Sequence, residues 1–494
     1  MNYVLGVDIG TGSTKAVAVG YDSIAIGTSQ YHYPTYSPQA DYSEQNPELI
    51  WEAFKNCLQD TVDRMQGSPV AICLSSAMHS LIPVDRQGVK LMDMITWADC
   101  RSDSIATRLK HSAKGKHIYE LSGMPVHAMS PLCKIIWLRE NMPVVFEQAY
   151  KFISIKEYIW YRLFGEYVID HSIAGATGML DIGSFTWNSE LLALAGIRED
   201  QLSQPVKTDY TPTLTSSLGG MLNNETAFYI GASDGCLANL GSFAIRKGVA
   251  AVTIGTSGAI RIASEKPIIN TSAMTFSYCL DEKTFICGGP VNNGGNILDW
   301  LITGFLGKTN NKETFIEVFK MAEQVSPGAE GLLFLPYLNG ERAPVWDASS
   351  SGAFIGIRSR HTQAHFCRAV LEGICFALYE VLWAVEDGSD GIEQINVSGG
   401  FVNSKTWMQL LADITGRRLA LVQTEDASAI GAAFIALKAL GMNGGKYPDE
   451  PGKATLFIEP DMVQHHLYSR NFAVYRNLYS SLKNSMHQLS TENN

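Results

Sequence analysis

The chain has 494 residues, 46% hydrophobic and 18% charged, and 38 Lys and Arg against 49 Asp and Glu leave a net charge of −11. This composition is too apolar for disorder, long enough for a large core, and too acidic for a duplex-DNA partner. No uncharged apolar run of about 18 residues marks a membrane span, and the start Met1-Asn2-Tyr3-Val4 lacks a signal peptide's basic-then-apolar layout. Nine scattered cysteines without a C-x-x-C pair read as small buried hydrophobes of a reducing cytoplasm.

In chain order, Val4-Leu5-Gly6-Val7-Asp8 predicts an apolar strand running into the turn Gly10-Thr11-Gly12-Ser13-Thr14. Lys15 to Val19 predicts the returning strand. Val70 to Leu74 predicts a buried strand, Leu132 to Leu138 a helix ending near Glu140, and Ile155 to Leu163 a helix stopped by Gly165. Ala251 to Ile254 followed by Gly255-Thr256-Ser257-Gly258 repeats the opening strand and turn. The offset, 255 − 10 = 245, is close to half the chain, so a duplication into two similar domains is expected in place of the three that length suggests. Apolar Phe366, Val370, Ile374, Leu378 and Leu382 predict a long buried helix over His361 to Ala384. Asn396-Val397-Ser398 leads into Gly399-Gly400, Thr406 to Ile414 reads as a helix, and Ser428 to Leu440 as a small-residue helix capped by Gly441. The alternation implies an α/β fold with two halves, 1–248 and 249–494, packed around a cleft.

Phosphates need backbone N–H groups and hydroxyls, with an acid to hold magnesium. Asp8 to Lys15 offers both in one turn, although glycine and serine there also suit an ordinary hairpin. The second turn favours a pair that clamps one polyphosphate. Gly307-Lys308-Thr309 is no Walker A motif, because Ile302 stands where the earlier glycine is required. Nor is the first turn G-x-G-x-x-G, since Lys15 replaces the third glycine.

Together with Met129 to Leu138, the loop Leu335 to Pro344, and Gly352, Phe354, Gly356-Ile357, His365-Phe366 and Ala369 to Glu372, these turns resemble the FGGY carbohydrate kinases nearly end to end. The resemblance implies two RNase H-like domains of the actin/hexokinase/heat-shock-70 superfamily with an interdomain cleft. Sugar would sit mostly against the first domain and ATP with Mg2+ mostly against the second. It implies that Asp234, in Gly231-Ala232-Ser233-Asp234-Gly235, is the general base, although an Asp-Gly pair alone often only makes a turn. Asp8, with Asp234, would hold magnesium through water. Thr11, Gly12, Ser13, Lys15, Gly255 and Thr256 would bind phosphate, and Gly399, Gly400 and Asn403 the adenosine end.

The segment Ser75-Ser76-Ala77-Met78-His79-Ser80 resembles the Met-His element of the xylulokinase and gluconokinase branches, and disfavours glycerol. Met78, His79, Trp97, Asp99 and Arg101 are the sugar-binding candidates. Asp99 and Arg101 are read equally well as a structural pair. Ile95 to Asp99 and Gly123 to Pro131 look more like gluconokinases, so D-gluconate is expected, with D-xylulose or another sugar as the alternative. A sugar acid needs a counter-charge in a desolvated pocket, for which His127, Lys156 and Arg101 are candidates.

His361 and His365 have metal-ligand spacing but no third ligand, so metal binding is not expected there. An actin- or chaperone-like ATPase would explain the two turns but not the Met78-His79, Trp97 and Asp234 segments. A sugar-responsive regulator would need a DNA-binding module, for which a fold starting at Val4 leaves no room at the amino end. A cytoplasmic enzyme without nucleic-acid or membrane partners is expected, and a homodimer is left open.

Overall fold

The computed structural model describes residues 2–212, 218, 220–386, 388–389, 391–422, 426–448 and 456–492. Its first half is built on a five-stranded sheet. Strands β1 (Tyr3–Ile9), β2 (Ser13–Gly20) and β3 (Ala25–His32) form an antiparallel meander, while β4 (Ala71–Ser76) and then β5 (Ala227–Ser233) add in parallel beside β1. Between β4 and β5 lie helices α1 (Pro131–Asn141) and α2 (Ile155–Phe164), and α3 (Asp234–Gly241) follows β5 directly. α2 stops at left-handed Gly165, as its sequence predicts, and starts at a capping box formed by Ser154 with Glu157.

The second half repeats the plan. Strands β6 (Val249–Ile254), β7 (Gly258–Ser264), β8 (Phe276–Asp281) and β9 (Thr284–Val291) are antiparallel neighbours, and β10 (Gln394–Ser398) and β11 (Arg418–Leu421) add in parallel beside β6. The antiparallel pair β1–β2 thus corresponds to β6–β7, and β4 to β10. The repeat is not perfect: Ile9 pairs with Thr14 whereas Ile254 pairs with Gly258, so the second turn is one residue shorter. Helices α4 (Gln363–Glu386) and α5 (Lys405–Thr415) pack on this sheet. The long buried helix begins two residues later than its apolar period predicts, because His361 and Thr362 are engaged in the turn that precedes it.

Strand periodicity sorts the first core. Leu5, Val7 and Ile9 face the helices on the outer side, with α2 residues Tyr158, Ile159 and Trp160. Val4, Val17 and Val19 face the other way, into a core continuous with the second half. That continuity comes from α6 (Ala427–Ala439), which lies late in sequence but packs against β1, β4 and α3 of the first half. This helix is the largest seam between the two sequence halves, which also meet where α3 packs against β7 and β8, and the cleft opens beside it. Among the described residues, no helix is long and apolar enough to cross a membrane. All nine cysteines are free, and only Cys100 is exposed.

Candidate active site

Asp234 occupies the first position of α3, just beyond a bulge in β5 between Tyr229 and Ala232. The bulge needs Gly231, whose φ is +71° and whose added Cβ would lie 1.8 Å from the Leu74 carbonyl oxygen. Ser233 caps the helix, and the Gly235 N–H donates to Asp234 Oδ1 at 2.7 Å. The carboxylate is aimed into a cavity of about 340 Å³ between the two halves. Met78, His79, Trp97 and Met129 line it from the first half, and Thr253, Ser257, Arg261, Tyr278, Arg342 and Ser428 from the second.

His79 sits at φ +65°, in the left-handed region a bulky residue rarely adopts, so its placement is imposed by its partners. Its Nδ1 lies 2.9 Å from the Ala176 carbonyl, which can only accept, so Nδ1 carries the proton. Nε2 then accepts from the Tyr278 hydroxyl at 3.0 Å, a bond that crosses from one half to the other. Burial holds the ring neutral, with its pKa lowered to about 3. Beneath it, Lys134 Nζ donates to the carbonyls of His79 and Thr96 at 2.5 and 2.7 Å, tying the Met78-His79 loop to the Trp97 loop.

Trp97 lines the cavity, and its Nε1–H donates to Thr11 Oγ1 at 2.8 Å. Asp99 and Arg101 are not brought to the cavity. Arg101 donates to both Asp99 oxygens and to Glu44, and stacks 3.7 Å from the centre of the Tyr42 ring, while Asp99 also accepts from the Ser43 N–H. Of the two roles weighed for this pair, the geometry is that of a closed, structural ion pair. The cations expected to meet a carboxylate fare similarly. Lys156 Nζ donates to Asp170 and to the Ala232 carbonyl, each at 2.8 Å. His127 accepts the Met129 N–H at Nδ1 and is held neutral by burial and nearby Arg342, with its pKa lowered to about 3.

Two cations that sequence reasoning passed over stand in the cavity instead, Arg261 and Arg342. Each has a buried Nε without a hydrogen-bond partner. The legible signal was Arg261 itself, a charge inside the otherwise buried run Gly258-Ala259-Ile260-Arg261-Ile262. Arg342 belongs to the loop Leu335 to Pro344, and its guanidinium stands 5.8 Å from the Trp97 ring centre.

Asp8 lies behind Asp234 and accepts from Ser75 Oγ at 2.7 Å. β4 runs on through Ser75 and Ser76, so these serines belong to the strand and not to the loop after it. Burial first and the Asp8 charge second push Asp234 up to about 7, and burial likewise raises Asp8. Two recessed carboxylates that repel each other suit a divalent cation. No group of three His, Cys, Asp or Glu that could cage a metal exists among the described residues.

The turns suit phosphate. Among the described residues, the N–H groups of Thr11, Gly12, Thr256 and Ser257 donate to no protein acceptor, while the turn carbonyls are held: Gln45 Nε2 donates to the Thr11 carbonyl and the Gly295 N–H to that of Gly255. A Cβ on Gly12, Gly255 or Gly400 would meet nothing within 4 Å, leaving open approach to backbone. Ser13 receives Gln30 Nε2, and Lys15 pairs with Asp426 across the halves at 2.5 Å. Gly399 turns at φ +97° against β6, and Asn403 donates to the Gly400 carbonyl at 3.1 Å in the same turn.

Models of the FGGY carbohydrate kinase N-terminal and C-terminal domains match residues 3–241 and 250–440. The chain belongs to the FGGY family of carbohydrate kinases. A gluconokinase of Bacillus licheniformis is 41% identical over 456 residues, covering 89% of this chain and 88% of that one. Two solved structures from Lactobacillus acidophilus, a gluconate kinase and a ligand-bound xylulose kinase, each superpose with a TM-score of 0.93 at 33% identity. The first covers 99% of both chains, and the second 99% of this chain and 100% of its own. The two-domain actin/hexokinase-like fold and the phosphotransferase class, with an alcohol as acceptor, are those of this family, and the family implies use of ATP.

If Asp234 is the group that accepts the hydroxyl proton, it must be ionised to do so, and burial has raised its pKa to about 7, so kcat/KM is then expected to rise with pH through a midpoint near 7. A profile flat from roughly pH 5.5 to 8.5, the range over which a carboxylate so perturbed titrates, is the contrary result.

Proposed function

We propose that the chain transfers the γ-phosphoryl group of ATP to the terminal hydroxyl of D-gluconate, giving 6-phosphogluconate and ADP. The observation that carries the reading is Asp234: a desolvated carboxylate at the start of α3, open to a cavity shared by both halves. The gluconokinase likeness along most of the chain supports the sugar acid. D-xylulose is the second reading, favoured by the equal likeness to the xylulose kinase structure.

In this reading the sugar lies between Met78, His79 and Trp97, its C–H face against the indole. Neutral His79, with its proton fixed on Nδ1, keeps the loop in place across the cleft through Tyr278. Asp234 accepts the hydroxyl proton as the O6–phosphorus bond forms and the bond from the γ-phosphorus to its bridging oxygen breaks. Magnesium bound with ATP supplies neutralisation of the phosphate charge, and Asp8 and Asp234 are the residues that would hold it. The free N–H groups of Thr11, Gly12, Thr256 and Ser257 receive phosphate oxygens, and Gly399, Gly400 and Asn403 flank the adenosine. Closure of the halves excludes water, which would otherwise compete with the sugar hydroxyl.

The test is ATP consumption across gluconate, xylulose, ribulose, fuculose, rhamnulose and glycerol. Gluconate is expected to give the highest kcat/KM. Turnover of a neutral ketose without turnover of gluconate would overturn the substrate while leaving the Asp234 chemistry in place.

A further inference from the structure

Two arginines, Arg261 and Arg342, line the cavity together with one carboxylate, Asp234. The Arg261 side chain forms no hydrogen bond or ion pair among the described residues, its Nε is buried, and the opposite charge that acts on it most is that of Asp234. It projects from β7 toward Gly235, where an added Cβ would stand 3.7 Å from Nε and 3.8 Å from an Nη. Arg342 gives one Nη to the Val291 carbonyl at 3.2 Å and leaves its own buried Nε unpaired. The neighbouring Glu341 is no substitute partner, because its carboxylate accepts from the Asn292 N–H, Asn293 Nδ2 and the Arg342 backbone N–H. Burial lowers the pKa of both arginines, and the Arg261 charge adds to the effect at Arg342. An unpaired guanidinium out of water is costly, and two together more so, unless an anion completes them.

We propose that Arg261 and Arg342 form the carboxylate-binding end of the cleft, with Arg261 the residue that selects a sugar acid over its neutral alcohol. This deepens the gluconate reading and rests on it. A planar guanidinium presents two parallel donors to a carboxylate, and a neutral polyol cannot repay their desolvation. The other cations near the sugar loops are already engaged: Lys134 by two carbonyls, Arg101 by Asp99 and Glu44, and Lys156 by Asp170. The same donors would also suit a phosphate oxygen, so the test separates the two anions.

The experiment compares kcat/KM for D-gluconate and D-glucitol, which differ only in the C1 carboxylate, in wild type, Arg261→Met and Arg261→Lys, alongside ADP affinity by calorimetry. Wild type is expected to favour gluconate. Arg261→Met is expected to lose roughly 100-fold in that preference, with ADP affinity unchanged. Arg261→Lys, with a point charge but no fork, is expected to fall between them and guards against misfolding of the methionine variant. A gluconate-to-glucitol ratio unchanged within twofold in both variants overturns the inference but leaves the gluconate reading standing. Loss of ADP affinity with an unchanged ratio overturns it in favour of a phosphate contact. A wild type that does not phosphorylate gluconate removes the underlying reading and this inference with it.

Discussion

Asp234→Asn is expected to fold and bind ADP as wild type does while losing roughly 10³-fold in kcat with gluconate. The asparagine is nearly isosteric, and its carbonyl oxygen can keep the bond from the Gly235 N–H. What it lacks is the lone pair basic enough to take the hydroxyl proton. Stability gives an independent check on sign. The folded protein raises the Asp234 pKa from 3.8 to about 7, so the native state favours the protonated acid. The ionised form therefore destabilises the fold increasingly as pH rises from near 4 to near 7, and by a constant amount above that. Asparagine carries no such charge and no repulsion from Asp8. At pH 8 the variant should melt no lower than wild type in a scanning calorimeter. Near-normal turnover would remove Asp234 as the base; a large drop in melting temperature would show that the side chain is structural.

Gly6→Ala is expected to destabilise the protein by about 3 kcal/mol or more, and to damage activity through the same seam. Gly6 lies in the centre of β1, where α6 crosses the first sheet. A Cβ there would lie 1.8 Å from the Ala429 carbonyl oxygen and 2.9 Å from the Ala433 nitrogen. Both are helix backbone, so no side chain can rotate away. The contact recurs along the helix: Gly241 would meet the Ala427 oxygen at 1.9 Å, and Gly431 the Leu237 oxygen at 2.1 Å. α6 must therefore move off β1 and α3 as a body, loosening the core shared by both halves. Gly12→Ala is the control, since its Cβ meets nothing within 4 Å. The measurement is the apparent unfolding midpoint of the three proteins. A Gly6→Ala variant that unfolds with wild type would refute the close packing.

Much of the fold was legible because its signals are local. Apolar runs flanking a glycine-rich turn announced β1 and β2, the 245-residue offset announced the repeat, and Gly165 marked the end of α2. The shorter second turn was not legible, because the match of Gly255-Thr256 to Gly10-Thr11 aligns the strands but not the residue pairing after the turn. Nor was the placement of α6. Its small residues read as a helix, but only the approach of three glycines shows that it packs under the other half's sheet.

The site divides along the same line. The sequence by itself determined the family pattern: the two glycine-rich turns, Asp8, Asp234 and the Met78-His79 and Trp97 segments, because these chemistries reside in contiguous residue types. Only the tertiary structure decided which charges are free. Lys156 and His127 looked available in sequence, yet folding gave Lys156 to Asp170 and the Ala232 carbonyl and held His127 neutral by burial, while Arg101 took the structural pairing with Asp99 that the sequence also allowed and added Glu44. Arg261 and Arg342 looked like a strand residue and a loop residue, and folding left both in the cleft with unpaired donors. Whether a charge is neutralised depends on what surrounds it in space, and spacing along a chain does not record that.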